Sequence, residues 1–302
     1  MSVLTGFLGS GKTTLLNHLT GQAALHRTLV LINEFGEVGL DHELVAYSKD
    51  EMVVEMSSGC LCCTIRGDLT RTLREAPGRF AREGRLWFDR VVIETTGLAD
   101  PAPILHTLIA DNTIRHRYRL DGVIATIDSV NGEITLDSQL ESVKQAAVAD
   151  RLLLTKADLV DKDLLKRLQQ RLRALNPTAP QIIAKYGHVD PSVIFGAGSY
   201  DPGSKIPDVQ DWLGAETGGT EHRHGHSHHD VNRHDADIKS FCVTTDEPIR
   251  RESLTQWLER LAEHRGPDLL RIKGIINVAD LDGPVVIHGV QHVVHPPIEF
   301  GD

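Results

Sequence analysis

The chain has 302 residues, of which 40% are hydrophobic and 25% charged, enough for about two domains that bury their own cores. Its 32 Lys and Arg against 42 Asp and Glu leave a net charge of -10, which argues against a general nucleic-acid or anionic-membrane binder, since both need a basic face. No apolar run approaches the ~18 residues of a membrane span, no leader pattern opens the sequence, and three of the four cysteines fall within Cys60 to Cys63. The expectation is a reducing cytoplasm and a thiol site, not a disulfide scaffold.

In chain order, short aliphatic runs alternate with amphipathic stretches. Residues 2–5 predict a strand that enters a Gly-rich turn, and 12–19 a helix. Residues 28–33 and 52–56 predict strands, and 68–76 a helix. The runs 90–94, 122–128 and 151–155 are almost wholly apolar, as strands buried on both faces should be. Helical periodicity covers 138–149 and 161–175, the latter stopped by Asn176 and Pro177. This order predicts an α/β fold with a doubly wound, mainly parallel sheet over 1–195. Residues 196–236 are rich in Gly, Pro, Asp and His and read as a mobile linker. Beyond it, a strand at 238–244, a helix at 252–264 and a strand pair at 269–279 and 284–290 predict a small α+β domain over 237–302.

Gly6-Phe7-Leu8-Gly9-Ser10-Gly11-Lys12-Thr13 fits G-x-x-x-x-G-K-[ST] between a strand and a helix. Glycines at 6, 9 and 11 let the backbone curl so that its N–H groups face phosphates. The helix start adds positive potential. Lys12 is expected to reach the β and γ phosphates and the Thr13 hydroxyl to ligate Mg²⁺. Val91-Val92-Ile93-Glu94-Thr95-Thr96-Gly97 is an apolar strand ending in an acid. Glu94 could hold Mg²⁺ or its waters, and Gly97 could approach the γ phosphate closely. Thr155-Lys156-Ala157-Asp158 closely resembles the guanine-specifying N-K-x-D. The Asp158 carboxylate can accept N1–H and N2–H₂ of guanine, a donor pair that adenine lacks, and the Lys156 stem can cover a ring face. Thr155 stands where that motif has Asn, which puts one stabilising hydrogen bond in question.

Gly59-Cys60-Leu61-Cys62-Cys63 offers soft ligands for Zn²⁺ or a similar ion. In an extended chain Cys60 and Cys62 share a side and Cys63 does not, so two thiolates are easy and a third needs a bend. A redox thiol is the competing reading. Further ligands could come from Asn33-Glu34-Phe35-Gly36-Glu37-Val38-Gly39-Leu40-Asp41, an acidic loop with glycines for mobility. Of the 16 histidines, six lie between His222 and His234. His224, His226 and His228 in this tract suit capture of Zn²⁺, Ni²⁺, Co²⁺ or Cu²⁺. Lone histidines such as His18 and His106 read as ordinary surface or core residues.

The segments LTGFLGSGKTTLLNHL, INEFGEVGLD, SSGCLCC, VVIETTGLADPAPI and LLLTKADL, in this order, resemble the CobW family of P-loop GTPases. T-K-x-D and the run DGVIATID look most like its YjiA-type branch. The resemblance implies a P-loop GTPase fold and a metallochaperone role, with GTP binding and hydrolysis coupled to handling Zn²⁺, or in some members cobalt or other metals. It implies phosphate contacts at Gly9, Ser10, Gly11, Lys12 and Thr14, Mg²⁺ at Thr13, and base contacts at Lys156 and Asp158. It also implies a metal site at Cys60 and Cys62, with Cys63 and Glu37 as further candidates, and Glu34 and Glu37 on a nucleotide-responsive loop. The expected partners are a guanine nucleotide, a transition metal and a client metalloprotein, with a homodimer as a further expectation. Lys12, Thr13 and Glu94 are the expected catalytic residues. No arginine finger is evident, so turnover should be slow, on the order of 10⁻⁴ to 10⁻² s⁻¹. Only Met1 precedes the first strand, which should therefore be short. The chain stops at Asp302, before the closing strand and helix usual in the family, so the second domain is expected to be incomplete. Competing readings are a P-loop ATPase or kinase with a structural zinc, a non-catalytic metal store, and a GTPase for cobalamin or nitrile hydratase metal insertion.

Overall fold

A computed structural model describes residues 1–20, 26–34, 52–57, 63–82, 84–186, 188–191, 195, 238, 243–245, 247–281, 283–294 and 298–299. By contact the chain divides into two compact units, Met1–Asp100 with Asp121–Ser240, and Pro101–Leu120 with Phe241–Asp302.

The first unit holds a seven-stranded sheet in the order β3-β2-β6-β1-β7-β8-β9. Its strands are β1 (Ser2–Gly6), β2 (Thr28–Glu34), β3 (Met52–Ser57), β6 (Arg90–Glu94), β7 (Gly122–Asp128), β8 (Arg151–Thr155) and β9 (Gln181–Ile183). All pair in parallel. A two-stranded hairpin of β4 (Ala81–Arg82) and β5 (Arg85–Leu86) stands apart from it. The helices are α1 (Lys12–Thr20), α2 (Cys63–Arg79), α5 (Gly132–Ser138), α6 (Leu140–Val148) and α7 (Lys162–Leu175). Alternate strand residues feed opposite faces. Ile124 and Leu153 join Leu15, Leu16 and Leu19 of α1 in one core. Ala125, Ile127, Leu152 and Leu154 join Leu136, Val143, Ala146, Leu168 and Leu172 in the other. Both faces are dry, which is why these strands read as continuous apolar runs.

The second unit contains α3 (Ala102–Ala110) and α4 (Asn112–Arg117), with α8 (Arg251–Arg265), β10 (Ile272–Ile276), β11 (Val285–Val290), β12 (Val293–Val294) and β13 (Ile298–Glu299). β11 pairs antiparallel with β10, β12 and β13. Leu254 and Leu258, one helical turn apart on α8, pack with Val278, Val285 and Ile287. Contact thus groups residues 101–120, which chain order assigned to the first domain, with the C-terminal strands.

Several expected elements differ in detail. The first strand has five residues, all buried, the same length as β6 and β8. The helix expected over 68–76 starts at Cys63 and runs to Arg79, with Pro77 inside it. The helix expected over 138–149 is α6, beginning after Gln139, whose φ of -130° and ψ of 106° are extended; α5 before it was not anticipated. Of the strand expected over 238–244, residues 239–242 lie outside the described residues, and 238, 243 and 244 take no regular structure. The first strand of the C-terminal pair is trimmed to β10. α3, α4, β9 and the 81–86 hairpin had no strong periodicity and were not anticipated. The linker expected at 196–236 lies outside the described residues.

Candidate functional site

β1 delivers the chain into the phosphate loop and α1 carries it away. Gly6 has a φ of 144°, and a Cβ there would lie 2.2 Å from Thr126 Oγ1 and 2.6 Å from Thr126 O, so only glycine lets the loop leave the sheet this close to β7. The buried Ser10 hydroxyl meets Thr126 Oγ1 at 2.6 Å, and the Ser10 carbonyl accepts from Thr155 Oγ1 at 2.8 Å. The Ser10 side chain thus ties the phosphate loop to β7. Lys12 is 9% exposed and its ammonium lies inside the loop, donating to Gly6 O at 2.9 Å and Phe7 O at 3.3 Å. Thr13 is half-buried, and Gly9 and Thr14 are exposed.

The single hydroxyl proton of Thr155 is shared between Ser10 O and, at 3.1 Å, Ile127 O. Thr155 thus ties the base-side loop to the phosphate loop. Thr155→Val keeps the shape and removes the hydroxyl donor from both carbonyls. It should cost about 1–3 kcal/mol of stability and weaken nucleotide binding, measured by urea unfolding and calorimetry. Unchanged stability would show that the tie is idle.

Lys156 adopts a left-handed conformation, φ 54° and ψ 25°, and caps a single 3-10 turn, Ala157–Leu159, that carries the exposed Asp158. A non-glycine residue there costs about 1 kcal/mol or more. The ammonium of Lys156 is held by Asp128 Oδ2 at 2.7 Å, at the end of β7. Asp128 also accepts from the N–H groups of Val130 and Asn131 and from the Asn131 side chain. Burial works against the Asp128 charge, but Lys156, Asn131 and Val130 overcome it and hold the carboxyl below its ordinary range. Asp128 was missed from sequence; its signal is the same as for Glu94, an acid closing an apolar strand.

Glu94 is 5% exposed at the end of β6, in register with Leu4 of β1 and Ile32 of β2. After it, Gly97 abuts the phosphate loop itself: a Cβ at Gly97 would sit 2.7 Å from the Leu8 nitrogen and 2.9 Å from its Cα. Gln145 Nε2 donates to Gly97 O and Ala99 O and fixes this approach. Thr96 Oγ1 is buried with no hydrogen-bond partner among the described residues.

Cys63 is the first residue of α2, so the extended alternation inferred for the thiols stops before it. Of the other expected metal ligands, Glu37, Cys60, Cys62, His224, His226 and His228 lie outside the described residues. Glu34 ends β2, backbone only, opposite Ser57 at the end of β3. Among the described residues no three His, Cys, Asp or Glu side chains gather in a metal-holding group. His18 and His106 are not lone residues. The rings of His18 and His188 lie 3.9 Å apart, and those of His106 and His292 4.8 Å.

Residues 1–183 match the family described as CobW/HypB/UreG, nucleotide-binding domain. Residues 238–299 match the cobalamin synthesis protein cobW C-terminal domain. The chain is 31% identical over 293 residues to the zinc chaperone YjiA of Escherichia coli, covering 97% of this chain and 86% of that one. It is 32% identical to the zinc chaperone CobW of Pseudomonas aeruginosa, over 96% of this chain and 80% of the relative. A crystal structure of Zn(II)-bound YjiA GTPase from E. coli superposes with a TM-score of 0.66 at 28% identity, over 100% of this chain and 89% of the other. With its phosphate loop, parallel sheet and C-terminal antiparallel sheet, the chain belongs to the CobW family of P-loop GTPases.

Proposed function

We propose that the chain is a GTP-hydrolysing metallochaperone in which the nucleotide sets the hold on a divalent transition metal. Zn²⁺ is the first candidate, with Co²⁺ or Ni²⁺ as other cargo, and the recipient is a client metalloprotein. The observation that carries this reading is register. β3, β2, β6 and β1 are consecutive parallel neighbours. The segments that follow them, with the thiols, the acidic turn, Glu94 to Gly97 and the phosphate loop, therefore start from one sheet edge. At about 4.8 Å per strand the ends of β3 and β1 are about 14 Å apart. Five residues separate Ser57 from Cys63, a reach of up to about 20 Å, so the thiols can come to the nucleotide side. Relatives that bear the names zinc chaperone and GTPase support the same reading.

In this reading the loop N–H groups and Lys12 take the β and γ phosphates, and the Thr13 hydroxyl and Glu94 hold Mg²⁺ directly or through water. Bound there, Mg²⁺ supplies positive charge against the charge developing on the phosphate oxygens. The chemistry of the residues suits it: a hydroxyl, a buried carboxylate and the orphaned Thr96 hydroxyl are hard oxygen donors. Gly97 brings its backbone up to the loop, and Asp158 with Lys156 receives the guanine. Cys60, Cys62 and Cys63 with Glu37 hold the cargo. The His tract collects ions. A client or a second copy of the chain supplies the group that quickens turnover. Among the described residues no helix is long and apolar enough to cross a membrane; we place the protein in the cytoplasm.

The test is linkage. Zn²⁺ titration of the wild type in GDP and in a non-hydrolysable GTP analogue should differ in affinity by about 5- to 150-fold. Reciprocally, Zn²⁺ should raise the preference for the analogue over GDP by the same factor. Cys62→Ala should abolish the difference. Equal Zn²⁺ affinity in both nucleotide states of the wild type would sink the proposal.

A further inference from the structure

We infer that His106 and His292 form a two-imidazole seat for a divalent transition metal, separate from the cysteine segment and the His tract. The two Nε2 atoms stand 3.1 Å apart, on the exposed surface, though 186 residues separate them in sequence. Ring centres are 4.8 Å apart and the planes are inclined at 55°. Two arrangements bring Nε2 atoms this close. In one, a neutral ring donates N–H to the other's lone pair. When that bond runs straight along both rings, the centres sit about 5.4 Å apart. In the other, both lone pairs converge on one ion. With metal–nitrogen bonds of about 2.05 Å and an angle near 100° at the ion, the nitrogens lie about 3.1 Å apart and the ring centres about 4.9 Å. The observed separations are those of two ring nitrogens converging on one point; a bent hydrogen bond between the rings gives the same separations, so metal titration decides between the two.

The seat is held by the fold. His106 lies on α3, whose Ile104, Leu105, Leu108 and Ile109 are buried. His292 sits in the turn between β11 and β12, beside Gln291, which takes a φ of 53° and donates its N–H to Leu269 O at 2.8 Å. The backbone of Gly266 packs directly on His292. Two ligands already in place lose little freedom on binding, which favours affinity. Two protein ligands leave other positions to water, so an ion there stays open to exchange with an incoming ligand. The pair His18 and His188 lacks this geometry: with ring centres 3.9 Å apart, the rings are too close for both to point edge-on at one ion.

The experiment uses the full chain and Zn²⁺ alone as probe. Ring-nitrogen NMR signals of His106 and His292 should move together on Zn²⁺ addition, in the wild type and equally with Cys60, Cys62 and Cys63 changed to Ser. That second arm separates this seat from the thiol site proposed above. In the thiol-free chain, His106→Gln or His292→Gln should each lower the Zn²⁺ stoichiometry by one. Glutamine keeps a hydrogen-bonding partner for the remaining ring, so a mere hydrogen-bonded pair would lose no ion. Ni²⁺ should bind the seat more tightly than Co²⁺. If the two ring signals stay still while other imidazoles shift, or if neither Gln variant binds less Zn²⁺ than the thiol-free parent, the pair is a hydrogen bond and the inference fails. The wild-type NMR arm decides the matter even where a variant does not fold.

Discussion

Lys12→Ala should lower the GTP hydrolysis rate at saturating nucleotide by about 10²- to 10³-fold, the usual effect of removing a positioned donor from developing negative charge. Lys12 is buried and its ammonium already sits within the curl of the loop, on Gly6 O and Phe7 O. A triphosphate brings stronger acceptors to the same place, and a charged donor prefers them to neutral carbonyls. Lys12→Arg should not rescue, because a planar fork cannot occupy a space shaped for a compact ammonium. Phosphate release under single-turnover conditions reads the effect, and metal-free thermal unfolding checks the fold, since the substitution also removes the ammonium donor from Gly6 O and Phe7 O. Turnover within about threefold of wild type in a folded Lys12→Ala chain would remove this loop from the chemistry.

The phosphate loop was legible because its chemistry is local: Gly6, Gly9, Gly11, Lys12 and Thr13 act within eight residues, and the strand and helix around them are short-range patterns. The parallel sheet was legible for a related reason, since strands buried on both faces cannot hide their composition. What could not be read were the ties that cross the sheet. Thr155 reaches Ser10 over 145 residues, and Thr126 reaches the Ser10 hydroxyl over 116. No local pattern marks a hydroxyl as a loop anchor. Asp128 is intermediate: an acid closing an apolar strand is visible, but its use by Lys156 is set by the β7 and β8 register. His106 was dismissed because its partner lies on a turn 186 residues away. The breadth of α2 was missed because Gly67 and Pro77 argue against a helix, and packing of Leu69, Leu73 and Ala76 overrides them.

Asp158→Asn should convert a guanine site into a xanthine site. Guanine presents two donors, N1–H and the 2-amino group, which a carboxylate accepts together. Xanthine keeps the N1–H but carries a carbonyl at C2, which meets a carboxylate as repulsion and an amide NH₂ as a hydrogen bond. The structure makes the side chain available for this: Asp158 is exposed, on a 3-10 turn whose entry is fixed by the left-handed Lys156, itself anchored by Asp128. A site built for a donor pair rejects a ligand without it by up to about 10⁴-fold when buried; an open site should show less, so GTP affinity should fall about 100-fold or more and XTP affinity rise in compensation. ATP should remain a poor ligand of both forms, which also separates this chain from a P-loop kinase or ATPase. Competition calorimetry with GTP, XTP and ATP on wild type and Asp158→Asn measures all six affinities. Wild-type preference for ATP, or a GTP affinity untouched by the substitution, would show that the base is read elsewhere and that the T-K-A-D turn is only a strand exit.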